Sequence, residues 1–286
     1  LVVSDSISKY FVMNISTGNL LWSKYNNAPF ISDIKIKDDN FFVIDSNNTL
    51  KCFSLIDGSL VWEHKSENRI IKSGKKLSIA LDDDKIIFNN SIGDITAVDI
   101  SNGNLLWITP TTKNQSLTQS YFLKMSDVVV NDNSVLLSNN DNQFFSIDIN
   151  SGLINWVQKI NTYLKPTIVN NIIFTVTLEG YLVLINNITG NIIRVTNVFD
   201  KFDIKSGPFK CNFWCGENKD EDENKVKPVG FVVGTHNIFL STDNGKLLII
   251  DISTGKTKSV FKVDNQKISR PFISNKNLFL IKDNSI

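Results

Sequence analysis

An all-β fold, made of one four-stranded antiparallel unit used repeatedly, is predicted by three features of this 286-residue chain. The first is composition. Only three alanines (Ala28, Ala80, Ala97) occur, while Ile, Val, Phe and Thr stand beside abundant Asn, Asp and Ser, a balance that favours strands and tight turns over helices. The second is a recurring phrase. It runs from Ile15 to Trp22, Leu55 to Trp62, Ile100 to Trp107 and Ile149 to Trp156, with weaker copies from Ile188 to Arg194 and Ile252 to Ser259 that keep the glycine and lose the tryptophan. The third is that the intervals between the repeat glycines, 40, 45, 49, 38 and 65 residues, resolve into four short apolar runs each.

Taken in order, the first copy begins at about its second strand (Leu1 to Ser4). The clearest unit lies between Lys165 and Asn197, with runs at Pro166 to Val169, Ile172 to Leu178, Tyr181 to Ile185 and Asn191 to Val195, punctuated by Asn170-Asn171, Glu179-Gly180 and Thr189-Gly190. After the sixth copy, Phe272 to Asn284 reads as the first two strands of another unit. Four strands per repeat at this spacing describe a propeller blade. The expectation is therefore a single β-propeller domain over residues 1–286, with six repeat turns, a partial blade and a loop insertion at about 198–228.

The repeated positions have separate physical roles. Gly18, Gly58, Gly103, Gly152, Gly190 and Gly255 close the turn between the third and outermost strands, where a left-handed residue is required. Four residues earlier stand Asn14, Ser54, Asp99, Asp148, Asn186 and Asp251, short polar side chains suited to accepting backbone N–H groups. A second turn ending in Gly or Asn lies ten residues before each repeat glycine, at Asn48, Gly93, Asn142, Gly180 and Gly245, with Ser8 in the first copy. Trp22, Trp62, Trp107 and Trp156 are placed to dock on a neighbouring blade, each burial worth about 1.5–3 kcal/mol. Trp214 stands outside this pattern.

Composition also narrows function. With 30 Lys+Arg against 29 Asp+Glu the formal charge is +1, which removes the broad basic field of a nucleic-acid binder. No apolar run approaches the roughly 18 residues of a spanning helix. Three cysteines are too few for a disulfide scaffold, and Cys52, in a strand-like run, reads as a small buried hydrophobe.

Catalytic and metal signatures are missing from the sequence. His64 and His236 have no ligand partners at metal spacing and read as solvated turn residues; the acidic turns 82–84 and 38–39 lack the alternating ligands of a calcium loop. No phosphate loop, nucleophile elbow or HExxH motif occurs. The residues point to no enzyme and no cofactor.

The segment Ala97-Val98-Asp99-Ile100-Ser101-Asn102-Gly103-Asn104-Leu105-Leu106-Trp107 matches small-x-Asp-x-x-x-Gly-x-x-x-Trp throughout and resembles the tryptophan-docking motif of the quinoprotein-like propellers. Within that superfamily the chain is most similar to the outer-membrane assembly lipoprotein BamB family, and the resemblance covers nearly the whole chain. It implies an incomplete eight-bladed ring and a non-enzymatic scaffold at the periplasmic face of the outer membrane. The implied partners are a BamA-like insertase and nascent outer-membrane proteins, with membrane association only through a lipid anchor not present in this sequence. The alternative is a quinoprotein dehydrogenase-like enzyme binding pyrroloquinoline quinone, or a ligand sensor. The dehydrogenases would carry adjacent cysteines over the quinone, and this sequence has no Cys-Cys pair.

Function is then expected where the period breaks. One break is the connection from Thr109 to Ser126, where Leu117, Tyr121, Phe122, Leu123 and Met125 fit either partner binding or local packing. The resemblance favours a partner, since Leu123 to Asp127 is similar to a segment of the family's insertase-contacting loop; Leu117, Tyr121, Phe122, Leu123, Lys124 and Asp127 are the candidate contact residues. The other break, between Val198 and Pro228, holds Cys211, Trp214 and Cys215 before the acidic run 220–223. In an oxidising periplasm Cys211 and Cys215 form a local disulfide or remain thiols; a metal site would lack further ligands.

Overall fold

Left-handed turns set the period of the structure. The six repeat glycines all have φ between 68 and 73°, and the residues ten positions earlier, Ser8, Asn48, Gly93, Asn142, Gly180 and Gly245, are left-handed as well. Each repeat therefore carries two turns that ordinary side chains disfavour, and the strands between them have fixed lengths.

The computed structural model describes residues 1–66, 76–112, 124–139, 141–200 and 226–282, which fall in two units, 1–163 and 164–286. The first unit contains four antiparallel sheets. The first has three strands, β1 (Val2–Ser4), β2 (Lys9–Met13) and β3 (Leu20–Tyr25). Three four-stranded sheets follow: β4 (Lys35–Lys37), β5 (Asn40–Ile44), β6 (Thr49–Ser54) and β7 (Leu60–Lys65); β8 (Ile79–Leu81), β9 (Lys85–Asn89), β10 (Asp94–Asp99) and β11 (Leu105–Pro110); β12 (Val129–Asn131), β13 (Ser134–Ser138), β14 (Gln143–Asp148) and β15 (Ile154–Lys159).

The second unit has two four-stranded sheets. These are β16 (Thr167–Val169), β17 (Ile172–Val176), β18 (Tyr181–Asn186) and β19 (Ile192–Asn197), then β20 (Pro228–Val233), β21 (Asn237–Thr242), β22 (Lys246–Asp251) and β23 (Thr257–Lys262). A two-stranded sheet, β24 (Phe272–Ser274) and β25 (Asn277–Phe279), completes it. Among the described residues there is no helix.

Sheets of the first unit pack face to face, and the side-chain period of two explains their long apolar runs. On β5 and β6, Phe41, Val43 and Phe53 enter a cluster with Tyr10, whereas Phe42, Ile44, Leu50 and Cys52 enter another with Ile79, Ile86, Phe88 and Val98. A third cluster joins Ile87, Ile95 and Ala97 to Val135, Leu137, Phe145 and Ile147. Cys52 is fully buried, and burial pushes its thiol up to about 12, so it is a packing residue.

The tryptophans close these interfaces. Trp22 Nε1 donates to the Leu55 carbonyl at 2.9 Å, Trp62 Nε1 to Ile100 at 3.2 Å and Trp107 Nε1 to Ile149 at 3.0 Å. Each acceptor lies three residues before the next repeat glycine, and each ring lies against that glycine: a Cβ on Gly58 would stand 2.6 Å from the Trp22 ring, and one on Gly152 would stand 2.7 Å from Trp107. Trp156 stacks on Phe144 with centroids 6.1 Å apart. The polar positions hold the turns: Asp99 Oδ1 accepts the Ser101 N–H at 2.8 Å, and Asp148 Oδ1 accepts those of Asn150 and Ser151 at 3.1 and 2.7 Å.

His64 departs from the solvated-turn expectation. It lies in β7, half buried, with Nδ1 3.1 Å from the Gly103 carbonyl and its ring edge-on to Phe88. Burial lowers its pKa, and the hydrogen bond to Gly103 offsets part of that shift. His236 is exposed in its turn.

Candidate partner-binding face

The connection from the outermost strand β11 to the innermost strand β12 carries the candidate site, and hydrogen bonds hold both of its ends. At the start of the 109–126 connection, Thr111 Oγ1 donates to the Gly93 carbonyl at 2.6 Å and the Thr111 carbonyl accepts Asn139 Nδ2 at 2.8 Å. At its end, Ser126 and Ser138 form a reciprocal pair. The Ser126 N–H donates to the Ser138 carbonyl at 2.9 Å, the Ser138 N–H donates to Ser126 Oγ at 2.8 Å, and Ser138 Oγ donates to Thr162 O at 2.6 Å. Val128 N donates to Ser78 Oγ at 3.0 Å, and Ser78 N to Asn89 Oδ1 at 2.7 Å. Thr111, Ser126 and Ser138 thus pair their buried donors and acceptors at the two ends of the loop, whereas the buried Thr112 Oγ1 has no hydrogen-bond partner.

On this collar, Lys124 is exposed with Nζ 5.8 Å from the centroid of the Tyr163 ring, a cation–π arrangement, and Asp127 is half exposed. Met125, between them, is 1% exposed; it enters the third core cluster and its sulfur receives Asn89 Nδ2 at 3.9 Å. Met125 thus packs into the core. Leu117, Tyr121, Phe122 and Leu123 lie outside the described residues, as do Cys211, Trp214 and Cys215.

Sequence reasoning missed two polar features here. The position thirteen residues before each repeat glycine is always a capping side chain: Asp5, Asp45, Asn90, Asn139, Thr177 and Thr242 each accept a backbone N–H four residues on, at 2.9–3.2 Å. Aligning the copies on the glycine would have shown it. The second feature is a buried charge cluster. Lys51 Nζ lies 3.3 Å from Asp45 Oδ2 and 3.8 Å from Glu63 Oε2 and donates to Asn26 Oδ1 at 2.8 Å, while Asp45 is 2% exposed. A lysine in a strand gives no sequence signal of such pairing. Among the described residues no three His, Cys, Asp or Glu side chains group as metal ligands.

A family model described as outer membrane protein assembly factor BamB matches residues 1–196. The chain belongs to this family. Among solved structures it is similar to BamB from Moraxella catarrhalis, at 17% identity and a TM-score of 0.73 over 99% of this chain and 79% of that one. It is also similar to Sqt1 from Saccharomyces cerevisiae (11% identity, TM-score 0.68, 95% and 72% covered) and to the computationally designed protein Ika8 (15%, 0.60, 99% and 90%). These likenesses establish the fold as an all-β propeller of four-stranded antiparallel blades. No curated protein matches the sequence.

Proposed function

We propose that the chain is a non-enzymatic scaffold subunit of the machinery that inserts β-barrel proteins into the outer membrane, acting at the periplasmic face through protein–protein contacts. The observation that carries this reading is the BamB family match over residues 1–196. The BamA-like insertase is the proposed partner and nascent outer-membrane proteins are further clients. The single propeller domain would serve as a rigid platform.

We assign the contact to the 109–126 connection and the adjoining Asp127, with Leu117, Tyr121, Phe122, Leu123, Lys124 and Asp127 as its contact residues. Its ends are held by the Thr111 and Ser126 hydrogen bonds, so little ordering is left to be done at its base on binding, and Lys124 and Asp127 add opposite charges to a sequence that also carries Leu117, Tyr121, Phe122 and Leu123. Lys124→Glu combined with Leu123→Ala is expected to abolish co-purification of the BamA-like insertase from envelope membranes while the circular dichroism spectrum stays unchanged. Undiminished recovery would remove this loop as the dock.

A further inference from the structure

Seams between neighbouring sheets of the first unit are closed by an indole ring lying on a glycine. At the seam of Trp62 and Gly103 a Cβ on the glycine would stand 2.4 Å from the ring, and the indole N–H is bonded to Ile100 as well. Parting such sheets would expose an aromatic face and break a hydrogen bond. Water replaces the bond but not the apolar contact.

The seam between the two four-stranded sheets of the second unit is made differently. Gly255 meets the Thr196 hydroxyl and Arg194 Nε, 2.7 and 3.3 Å from where its Cβ would stand, instead of a ring. Arg194 donates to the half-buried Ile252 carbonyl at 2.9 Å and to the exposed Ser253 carbonyl, and Thr257 Oγ1 donates to the Val198 carbonyl at 2.7 Å. Water is able to take over each of these polar contacts. The buried Arg194 Nε, which has no hydrogen-bond partner while the seam is shut, gains one when water enters.

Connectivity acts in the same direction. Residues 198–227 separate β19 from β20, against 26–34, 66–78 and 111–128 between the sheets of the first unit. A longer connection tethers two sheets less tightly, because the entropy gained on separating its ends rises with its length. The ladders inside each sheet do not depend on the seam: β18 pairs with β19 from Tyr181↔Asn197 to Ile185↔Ile192, and β22 with β23 from Lys246↔Lys262 to Ile250↔Thr257.

We infer that this seam is an opening point built into the second unit: the sheet β16–β19 and the sheet β20–β23 part across Arg194 and Thr257 while each keeps its own strand ladder. The sheets docked by Trp22, Trp62 and Trp107 stay closed under the same conditions, since a buried aromatic face resists opening more than a guanidinium that water solvates well. The inference stands independently of the insertase dock.

The test is thiol labelling of cysteine substitutions in the 286-residue chain, read peptide by peptide by mass spectrometry so that the native cysteines are scored separately. Val198→Cys and Thr257→Cys lie on opposite sides of the seam, at 1% and 5% exposure, and Val135→Cys, fully buried in the cluster beside Trp107, is the reference. Without denaturant both seam probes should react at least about tenfold faster than the reference. Adding Arg194→Trp should slow both seam probes about fivefold and leave the reference unchanged. Equal rates at the three positions, or seam rates indifferent to Arg194→Trp, would overturn the proposal. So would seam labelling with the same steep urea dependence as the reference, which would assign it to global unfolding.

Discussion

Arg194 Nη2 donates to the Ile252 carbonyl at 2.9 Å, the same acceptor position, three residues before a repeat glycine, that Ile149 fills for Trp107. Its Nη1 reaches the neighbouring Ser253 carbonyl. The guanidinium thus does the donor work of the indole where the repeat has lost its tryptophan, but its buried Nε has no hydrogen-bond partner. Arg194→Trp is expected to keep the Ile252 bond, add apolar contact and remove that unsatisfied group, stabilising by about 1 kcal/mol. Arg194→Ala should destabilise by about 1–2 kcal/mol, since the half-buried Ile252 carbonyl loses a charged donor while the exposed Ser253 carbonyl can turn to water. Urea unfolding of both variants checks this; a tryptophan variant weaker than the parent would show that the site is shaped for the guanidinium.

Trp107 and Gly152 are expected to be strongly coupled. Trp107→Ala removes an 8% exposed ring and should cost about 3–5 kcal/mol. Gly152→Ala combines a φ of 72° with a Cβ driven into that ring, whereas Gly18, at φ 73°, has nothing within 4 Å of its Cβ position. Gly18→Ala should therefore cost only the left-handed strain of about 1–2 kcal/mol, and Gly152→Ala clearly more. The Gly152→Ala/Trp107→Ala double variant should lose less than the sum of the two single losses, because the steric part of the glycine effect needs the ring. Additive losses in a double-mutant cycle would contradict the docking geometry.

These contrasts show which parts of the fold were legible. Gly152 and Trp107 were readable because the same residue types recur at one spacing, and the turns at Asn48 and Asn142 because few residue types tolerate φ above zero. Arg194 was not, since a different side chain meets the same carbonyl through different chemistry. Met125 was grouped with its loop because one apolar residue carries no periodicity; its burial depends on Ala80 and Val128 from elsewhere in the chain. For the candidate site, the sequence offered Lys124 and Asp127 only through the family resemblance, while the serine collar beneath them required tertiary hydrogen bonds to appear.

The Lys51 cluster gives a prediction about buried charge. Lys51→Met leaves the Asp45 carboxylate, 2% exposed, without its cation and should destabilise by about 3–5 kcal/mol. Asp45 also caps its turn, with Oδ1 accepting the N–H groups of Asn47 and Thr49, so Asn is the right neutral replacement. The Lys51→Met/Asp45→Asn pair is expected to recover most of the loss, as measured by thermal unfolding. Failure to recover would mean that the lysine stem, rather than the charge pairing, holds β6 in place.

Acid sensitivity separates into two windows. Burial holds the His64 pKa below its ordinary 6.5, so between the folded and unfolded values the unfolded chain binds more protons. Its contribution is fully present above about pH 6.5 and is lost as pH falls from there through the folded value. Asp99 and Asp148, held below the ordinary carboxylate value of 3.8 by hydrogen bonds from the Ser101 and Ser151 hydroxyls, contribute above that value and lose it only at more acid pH. Urea midpoints between pH 7.5 and 5 should decline in the parent and flatten in His64→Gln, whose amide can still donate to the Gly103 carbonyl. Identical slopes in the two proteins would show that His64 is as free to protonate in the folded state as in the unfolded one.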